Sequence, residues 1–314
     1  MAAAVSRTIG FVLIAYAFLV TMLGATLPTP LKAGVTRVRS AWWLARSGGR
    51  LDERGIRILF YHRISDDEDA LAVAPRQFRQ QMELLAAEGY AVVDLGAAAD
   101  LLLAGSTPQR TVAVNFDDGY RDVAENAMPM LEKLGFPATV FVPTGAIDGT
   151  SCFSWYRQQP PLLGWEDIVE LDRGGTLRFE AHTVTHPNLL LLGDEAARDE
   201  IAGSKVALET KLGRAVEAFC YPAGLFGTRD RGLVADAGFR LAVSCEPGAN
   251  LPGADLLTLR RRQIDARDSL LDFRAKLGGG HDSPLPFRGV YRRLRYGQRK
   301  PGASRRELAR VSLR

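Results

Sequence analysis

The sequence predicts an α/β domain built on a largely parallel sheet, either open or closed into a barrel. Three observations carry this. Short apolar, β-branched runs recur along the chain and alternate with segments of helical spacing, the pattern of strand–helix units. Polar and titratable residues follow directly on several of those runs, where parallel folds gather their chemistry. At 314 residues, with 46% hydrophobic and 24% charged side chains, the chain is long enough to bury a full core.

The elements follow in order from Ile56. The run Ile56–Tyr61 reads as a strand ending at His62, and Pro75–Glu88 carries Phe78, Met82, Leu84 and Leu85 near helical spacing. Tyr90–Leu95 reads as a short strand and Ala97–Ala104 as a helix. Thr111–Val114 is an apolar strand running into Asn115-Phe116-Asp117-Asp118-Gly119-Tyr120. A helix is expected over Asp122–Leu134, stopped by Gly135, then a strand over Ala138–Val142. Trp165–Leu171 reads as helix, Leu177–Ala181 as strand, and Asp194–Leu212 as a long helix stopped at Gly213. Strands at Val216–Cys220, Phe239–Val243 and Leu257–Ile264, with helices at Arg229–Ala237 and Ser269–Leu277, complete the set.

The ends of the chain differ from this body. Phe11–Leu27 is a charge-free apolar run of 17 residues, at the short end for a membrane span. Only Arg7 precedes it and no clean small-residue cleavage site follows, so an uncleaved anchor is favoured over a signal peptide. Lys32, Arg37, Arg39 and Arg46 after the run would, by the positive-inside rule, hold the domain in the cytoplasm, against the extracytoplasmic placement expected here. Segment 31–55 is basic, contains Trp42-Trp43 and resembles an interfacial linker. From Arg288 to Arg314 ten Lys/Arg face one acid, Glu307, so the net +4 of the chain lies in a basic tail on a mildly acidic body. The bland reading of the tail is a solvated extension; the functional one is adhesion to anionic lipid or an acidic polymer. No nucleic-acid motif is present. Cys152, Cys220 and Cys245 are too few, and odd in number, for a disulfide framework.

Asp117-Asp118 and His182-Thr183-Val184-Thr185-His186-Pro187 each follow an expected strand, in a chain with four histidines. Each motif alone is weak, since Asp-Asp-Gly turns and His-x-x-x-His spacings arise by chance. Together they offer one carboxylate and two imidazoles with an open coordination position, the pattern of a catalytic metal site. Two adjacent carboxylates resist joint ionisation unless a cation offsets one. A divalent ion on Asp118, His182 and His186 would do so, lowering the pKa of a bound water while Asp117 takes the proton. Zinc suits this donor set, and cobalt, nickel or iron could occupy it. The chemistry expected is hydrolysis of an amide or ester.

These motifs, with Phe219–Gly224 and Gly238–Asn250, resemble the polysaccharide deacetylases of the NodB homology type, carbohydrate esterase family 4. The resemblance spans about residues 56–280 as a catalytic domain, with 1–30 as anchor or signal, 31–55 as linker and 281–314 as tail. It implies a distorted (β/α) barrel of about seven parallel strands and metal-dependent removal of N-acetyl groups from an amino-sugar glycan. Asp117 matches the catalytic base, and Asp118, His182 and His186 the metal ligands. Tyr221, Pro222 and Ala223 fall where the family forms a groove wall, the Ala223 amide matching an oxyanion donor. Leu59-Phe60-Tyr61-His62 resembles the Tyr-His motif of the poly-N-acetylglucosamine deacetylase branch, making His62 the expected general acid over His281. Arg63 and Trp165 could line the groove or simply sit at the surface. In many members an arginine that orients the base sits where this chain has Cys220, and an aromatic follows the Pro where this chain has Ala223. A deacylase of a lipid-linked sugar and a non-catalytic glycan-binding module are the alternatives.

Overall fold

The strands curl into a nearly closed barrel. The computed structural model describes residues 29–48, 54–106 and 108–282, so the apolar run Phe11–Leu27 and the tail from Arg288 lie outside the described residues. No helix among those described is long and apolar enough to cross a membrane.

The barrel is formed by β1 (Ile56–Tyr61), β5 (Thr111–Asp117), β6 (Ala138–Val142), β7 (Leu177–Ala181), β8 (Ala218–Cys220), β9 (Leu241–Val243) and β10 (Arg261–Gln263). Their order around the sheet is β10-β1-β5-β6-β7-β8-β9, every pairing parallel. A bridge between Val243 and Leu259 spans the remaining gap, with the Ser244 amide donating to the Leu259 carbonyl at 2.8 Å. Two short additions, β2 (Arg63–Ile64) and β3 (Ala72–Val73), pair with each other, and β4 (Ala91–Val92) pairs with β5.

β1, β5 and β6 are buried along their whole length, as a parallel sheet covered by helices requires. Period-two alternation divides their side chains. Val112, Val114 and Phe116 pack outward with Tyr61, Phe78 and Met82 against the helices. Ala113 faces inward with Ile56, Ile58, Phe141, Cys220 and Val243. Asp117 shares the parity of Ala113 and so points into the barrel.

The helices are α1 (Thr29–Arg46), α2 (Pro75–Ala87), α3 (Leu95–Leu103), α4 (Met128–Leu134), α5 (Thr144–Ile147), α6 (Trp165–Gly174), α7 (Asp194–Leu212), α8 (Thr228–Asp236) and α9 (Leu270–Leu277). Several differ from the sequence expectation for local reasons. The strand expected to reach Leu95 stops at Val92, because the Asp94 carboxylate caps α3 by accepting from the Ala97 amide at 2.8 Å. The helix expected from Asp122 begins as a π turn, Val123–Ala127, and becomes α-helical at Met128. The expected strand Leu257–Ile264 is a 3-10 turn at Leu256–Thr258 followed by β10. Segment 31–55 opens as α1, which packs along α9.

Candidate active site

Asp117 is the last residue of β5 and is 3% exposed. Arg261, the first residue of β10 and fully buried, meets it bidentately. Nη1 donates to Oδ1 at 2.7 Å and Nη2 to Oδ2 at 2.8 Å. The guanidinium is held in turn by the Ser244 carbonyl, which accepts from Nε at 2.9 Å, and lies 4.1 Å from the centroid of the Phe60 ring. Cys220 Sγ is 3.1 Å from Nη2. Burial by itself would push the Asp117 carboxyl up; the charge and hydrogen bonds of Arg261 overcome it and hold the group at about 2. Asp117 is therefore an ionised, oriented acceptor.

The chain turns sharply after Asp117. Asp118 has φ +76°, a left-handed conformation that a non-glycine residue adopts at a cost. The turn brings its Oδ1 to 3.6 Å from His182 Nε2 and 3.7 Å from His186 Nε2. His182 follows β7, and its Nδ1 lies 2.7 Å from the Cys220 carbonyl. A carbonyl only accepts, so Nδ1 carries the proton and Nε2 presents its lone pair toward Asp118.

His186 is brought back by a loop in which Thr183 and His186 both have positive φ, +66° and +56°. Glu200 of α7 holds that loop, accepting from the amides of Val184 at 2.9 Å and Thr185 at 2.8 Å. The Thr183 hydroxyl oxygen accepts from the His186 amide at 3.0 Å. Behind the His186 ring stand Trp155 and Phe153, with centroids at 5.2 and 5.7 Å, stacked on each other at 4.6 Å.

These residues fit a divalent ion. One ligand atom from each of Asp118, His182 and His186 lies within 4.8 Å of the others. A tetrahedral ion with donors at ~2.0–2.2 Å sets them about 3.3–3.6 Å apart. Asp118 Oδ1 is buried with no hydrogen-bond partner among the described residues. Burial and the neighbouring Asp117 charge push the Asp118 carboxyl well up, and burial pushes His182 down to about 4 and His186 down as well. A cation between them would compensate the buried carboxylate and use the neutral imidazoles as they stand. Asp117, His182 and Cys220 make a second close set. There, however, Arg261 already occupies both oxygens of Asp117, and burial raises the Cys220 thiol, so that set lacks a free anionic donor.

His62 follows β1 and is half-buried. Burial lowers its pKa, and the charges of Asp117, Asp265 and Asp69 oppose that shift, which places it among the acidic groups of the same mouth. Arg63 is buried in a cluster with Asp67, Asp69 and Asp122, a structural tie and not a groove residue. Trp165 donates from Nε1 to Asp148 at 2.6 Å on the surface. Tyr221 is fully buried, stacked on Phe226 and donating to the Leu257 carbonyl at 3.0 Å, so this segment offers the rim backbone rather than a ring. Pro222 is buried, and Ala223 takes φ +53° in the tight turn that follows β8. His281 lies against Ser40 of α1. All three cysteines are free.

The sequence profile of the polysaccharide deacetylase family matches residues 104–242, the span that contains both Asp117-Asp118 and the two histidines. Residues 104–242 are thus similar to a polysaccharide deacetylase domain. Among curated proteins, a poly-β-1,6-N-acetyl-D-glucosamine N-deacetylase of Staphylococcus aureus is 25% identical over 205 residues, 63% of this chain and 69% of that one. Among solved structures, the Streptococcus pyogenes deacetylase PplD in complex with acetate aligns with a TM-score of 0.63 at 25% identity, covering 71% of this chain and 98% of that one. IcaB of Ammonifex degensii aligns with a TM-score of 0.62 at 27% identity, covering 68% and 94%. Two residues of this candidate site, His62 and Arg261, come from outside the family-matched span. Arg261 was not singled out from the sequence, although a trace of it was there. In a strand next to Leu259, one arginine of Arg260-Arg261-Arg262 must face the barrel interior, where only a buried partner could hold it.

Proposed function

We propose that this protein is a divalent-metal-dependent N-deacetylase of an N-acetylated amino-sugar glycan, with a poly-N-acetylglucosamine as the substrate class its relatives suggest. One observation carries the reading. Asp117 is held ionised by Arg261 directly beside the Asp118, His182 and His186 set, a base next to a metal site.

A zinc, cobalt or nickel ion held by those three side chains supplies Lewis acidity toward an amide carbonyl and lowers the pKa of a nearby water. Asp117 accepts the proton of the attacking water through a second lone pair on an oxygen that Arg261 holds in place. His62, protonated, donates to the leaving amine. The Ala223 amide, in the turn after β8, would donate to the carbonyl oxygen as it gains charge. Asp117 does not itself need a histidine to ionise it, since Arg261 has already done so. The Arg261 pairing also weighs against a non-catalytic glycan-binding module, because the arginine lacking at position 220 is supplied from β10.

The apolar run Phe11–Leu27 supports tethering to the cell membrane, with the domain on its outer face, where such glycans are found. The basic tail fits attraction to anionic lipid or polymer.

The test follows acetate release from β-1,6- and β-1,4-linked N-acetylglucosamine oligomers after chelation and re-addition of zinc or cobalt. Metal-dependent release that Asp117→Asn reduces by about 100- to 10,000-fold is expected for a general base. Tight metal binding with no acetate from either oligomer would instead favour a lipid-linked sugar or a binding module.

A further inference from the structure

Helix α1 gives the barrel a direction relative to the segment that precedes it. α9 begins at the catalytic rim, directly after β10 and the Asp265–Asp268 loop, and ends at the opposite rim. There Asp282 accepts from Arg57 near the start of β1 at 2.8 Å and pairs with Arg262. α1 runs alongside α9 in the same direction. Ser40 donates to Asp272 in the first turn of α9 at 2.6 Å, and Arg37 lies 3.9 Å from the same carboxylate. Ser40 also lies 2.8 Å from His281 Nε2, Arg39 donates to the Gly280 carbonyl at 3.2 Å, and Trp43, nearly a turn beyond Ser40, packs so closely on Gly280 that a Cβ there would stand 2.6 Å from the indole. From Arg37 to Trp43 the contacts therefore shift from the first turn of α9 to the Gly280 turn beyond its end.

The first turns of α1 consequently point toward the catalytic rim. Thr29 lies eight to eleven residues before the Arg37–Ser40 contact, so α1 extends ~12–17 Å past the level of Asp272 on the active-site side. The residue before that extension is Pro28, and the apolar run Phe11–Leu27 ends directly before it. The exposed surface here is apolar. Leu31 (49% exposed) and Val38 (57%) lie two turns apart on the α1 face opposite Ser40, and Leu270 and Leu271 (38% each) open α9. These are four of the seven large apolar side chains exposed among the described residues. Arg37 and Arg267 are exposed beside them, the pairing of apolar and basic groups that a lipid interface takes up.

We propose that the mouth of the active site faces the lipid bilayer, with the Leu31–Val38 face of α1 and the start of α9 seated in its interface. This rests on the membrane tether of the preceding section. A domain held this way works on glycan within a short distance of the membrane, not on polymer reached by swinging away from it.

The experiment uses the full chain in vesicles of phosphatidylethanolamine and phosphatidylglycerol carrying a photoreactive lipid with its diazirine near the headgroup. Adducts are mapped by peptide mass spectrometry, and acetate release from a soluble oligomer is measured on the same sample. Leu103 (66% exposed), at the end of α3, and Leu251 (51%), beside Gly55 before β1, are exposed apolar residues on the opposite rim and act as internal references. Adducts about tenfold enriched on peptides 29–42 and 267–273 over those carrying Leu103 and Leu251 are expected, since an interfacial face sits only ~5–10 Å into the boundary. Equal labelling of both rims, or labelling confined to Leu103 and Leu251, overturns the orientation. Failure of the chain to float with the vesicles overturns it too, and intact acetate release in that sample keeps the deacetylase reading separate.

Discussion

Arg261 and Asp117 face each other across the floor of the mouth through two parallel hydrogen bonds, 2.7 and 2.8 Å, with neither side chain reaching solvent to any extent. The pair joins β10 to β5 with β1 between them, so the last strand of the barrel holds the base supplied by one near the start. Planar, bidentate contact fixes both oxygens of the carboxylate, which a lysine or a water could not do.

Replacing Arg261 with Met should be costly in two ways. Breaking a buried pair by removing one partner destabilises by about 3–5 kcal/mol, read as a lower denaturant midpoint. The surviving Asp117 loses the charge that offsets its burial, so its pKa rises from about 2 and the acidic limb of kcat/KM moves to higher pH. Arg261→Lys keeps the charge but not the fork, and should show the smaller shift of the two. An unmoved acidic limb in both variants would falsify the assignment of Asp117 as base.

His62 should set the alkaline limb. Burial lowers its pKa below the ordinary 6.5, so the protonated acid is lost as pH rises through that lowered value. Asp265 is one of the carboxylates pushing the other way. Asp265→Asn should therefore move the alkaline limb to lower pH, and His62→Ala should abolish the limb together with most of kcat. A pH profile unchanged by Asp265→Asn would detach His62 from that carboxylate.

Metal removal should be visible without any substrate. A ligand that binds only the folded state at a hundredfold excess over its Kd stabilises by about 2.7 kcal/mol. Zinc added to chelated protein should raise the melting temperature, and the rise should vanish in His186→Ala and Asp118→Asn. A rise of the same size in those variants would place the ion elsewhere.

Gly224 should resist substitution although it touches no reacting group. Its φ is +65°, and a Cβ there would stand 2.5 Å from the Cys245 backbone nitrogen. Gly224→Ala should cost about 1–3 kcal/mol through the clash and shift the turn that positions Ala223. Calorimetry, with acetate release on the surviving folded fraction, measures both effects.

The sequence by itself determined the alternation of strands and helices, the two motifs at strand ends, and the identity of the candidate base and metal ligands. Those features are local: apolar runs set strand positions, and Asp117-Asp118 and His182–His186 are each written within a few residues. Where strands began and ended was less legible, as at Asp94 and Leu256, because caps and short turns compete with propensity over two or three residues. Only the tertiary structure decided that the arginine missing at Cys220 is replaced by Arg261, 144 residues from Asp117 in sequence. It also decided that Tyr221 turns into the core and that α1 points its start at the catalytic rim. Each of these depends on which strands become neighbours and which face of a helix finds a partner. No stretch of sequence encodes that alone, because barrel closure and helix docking are settled by burial summed over the whole chain.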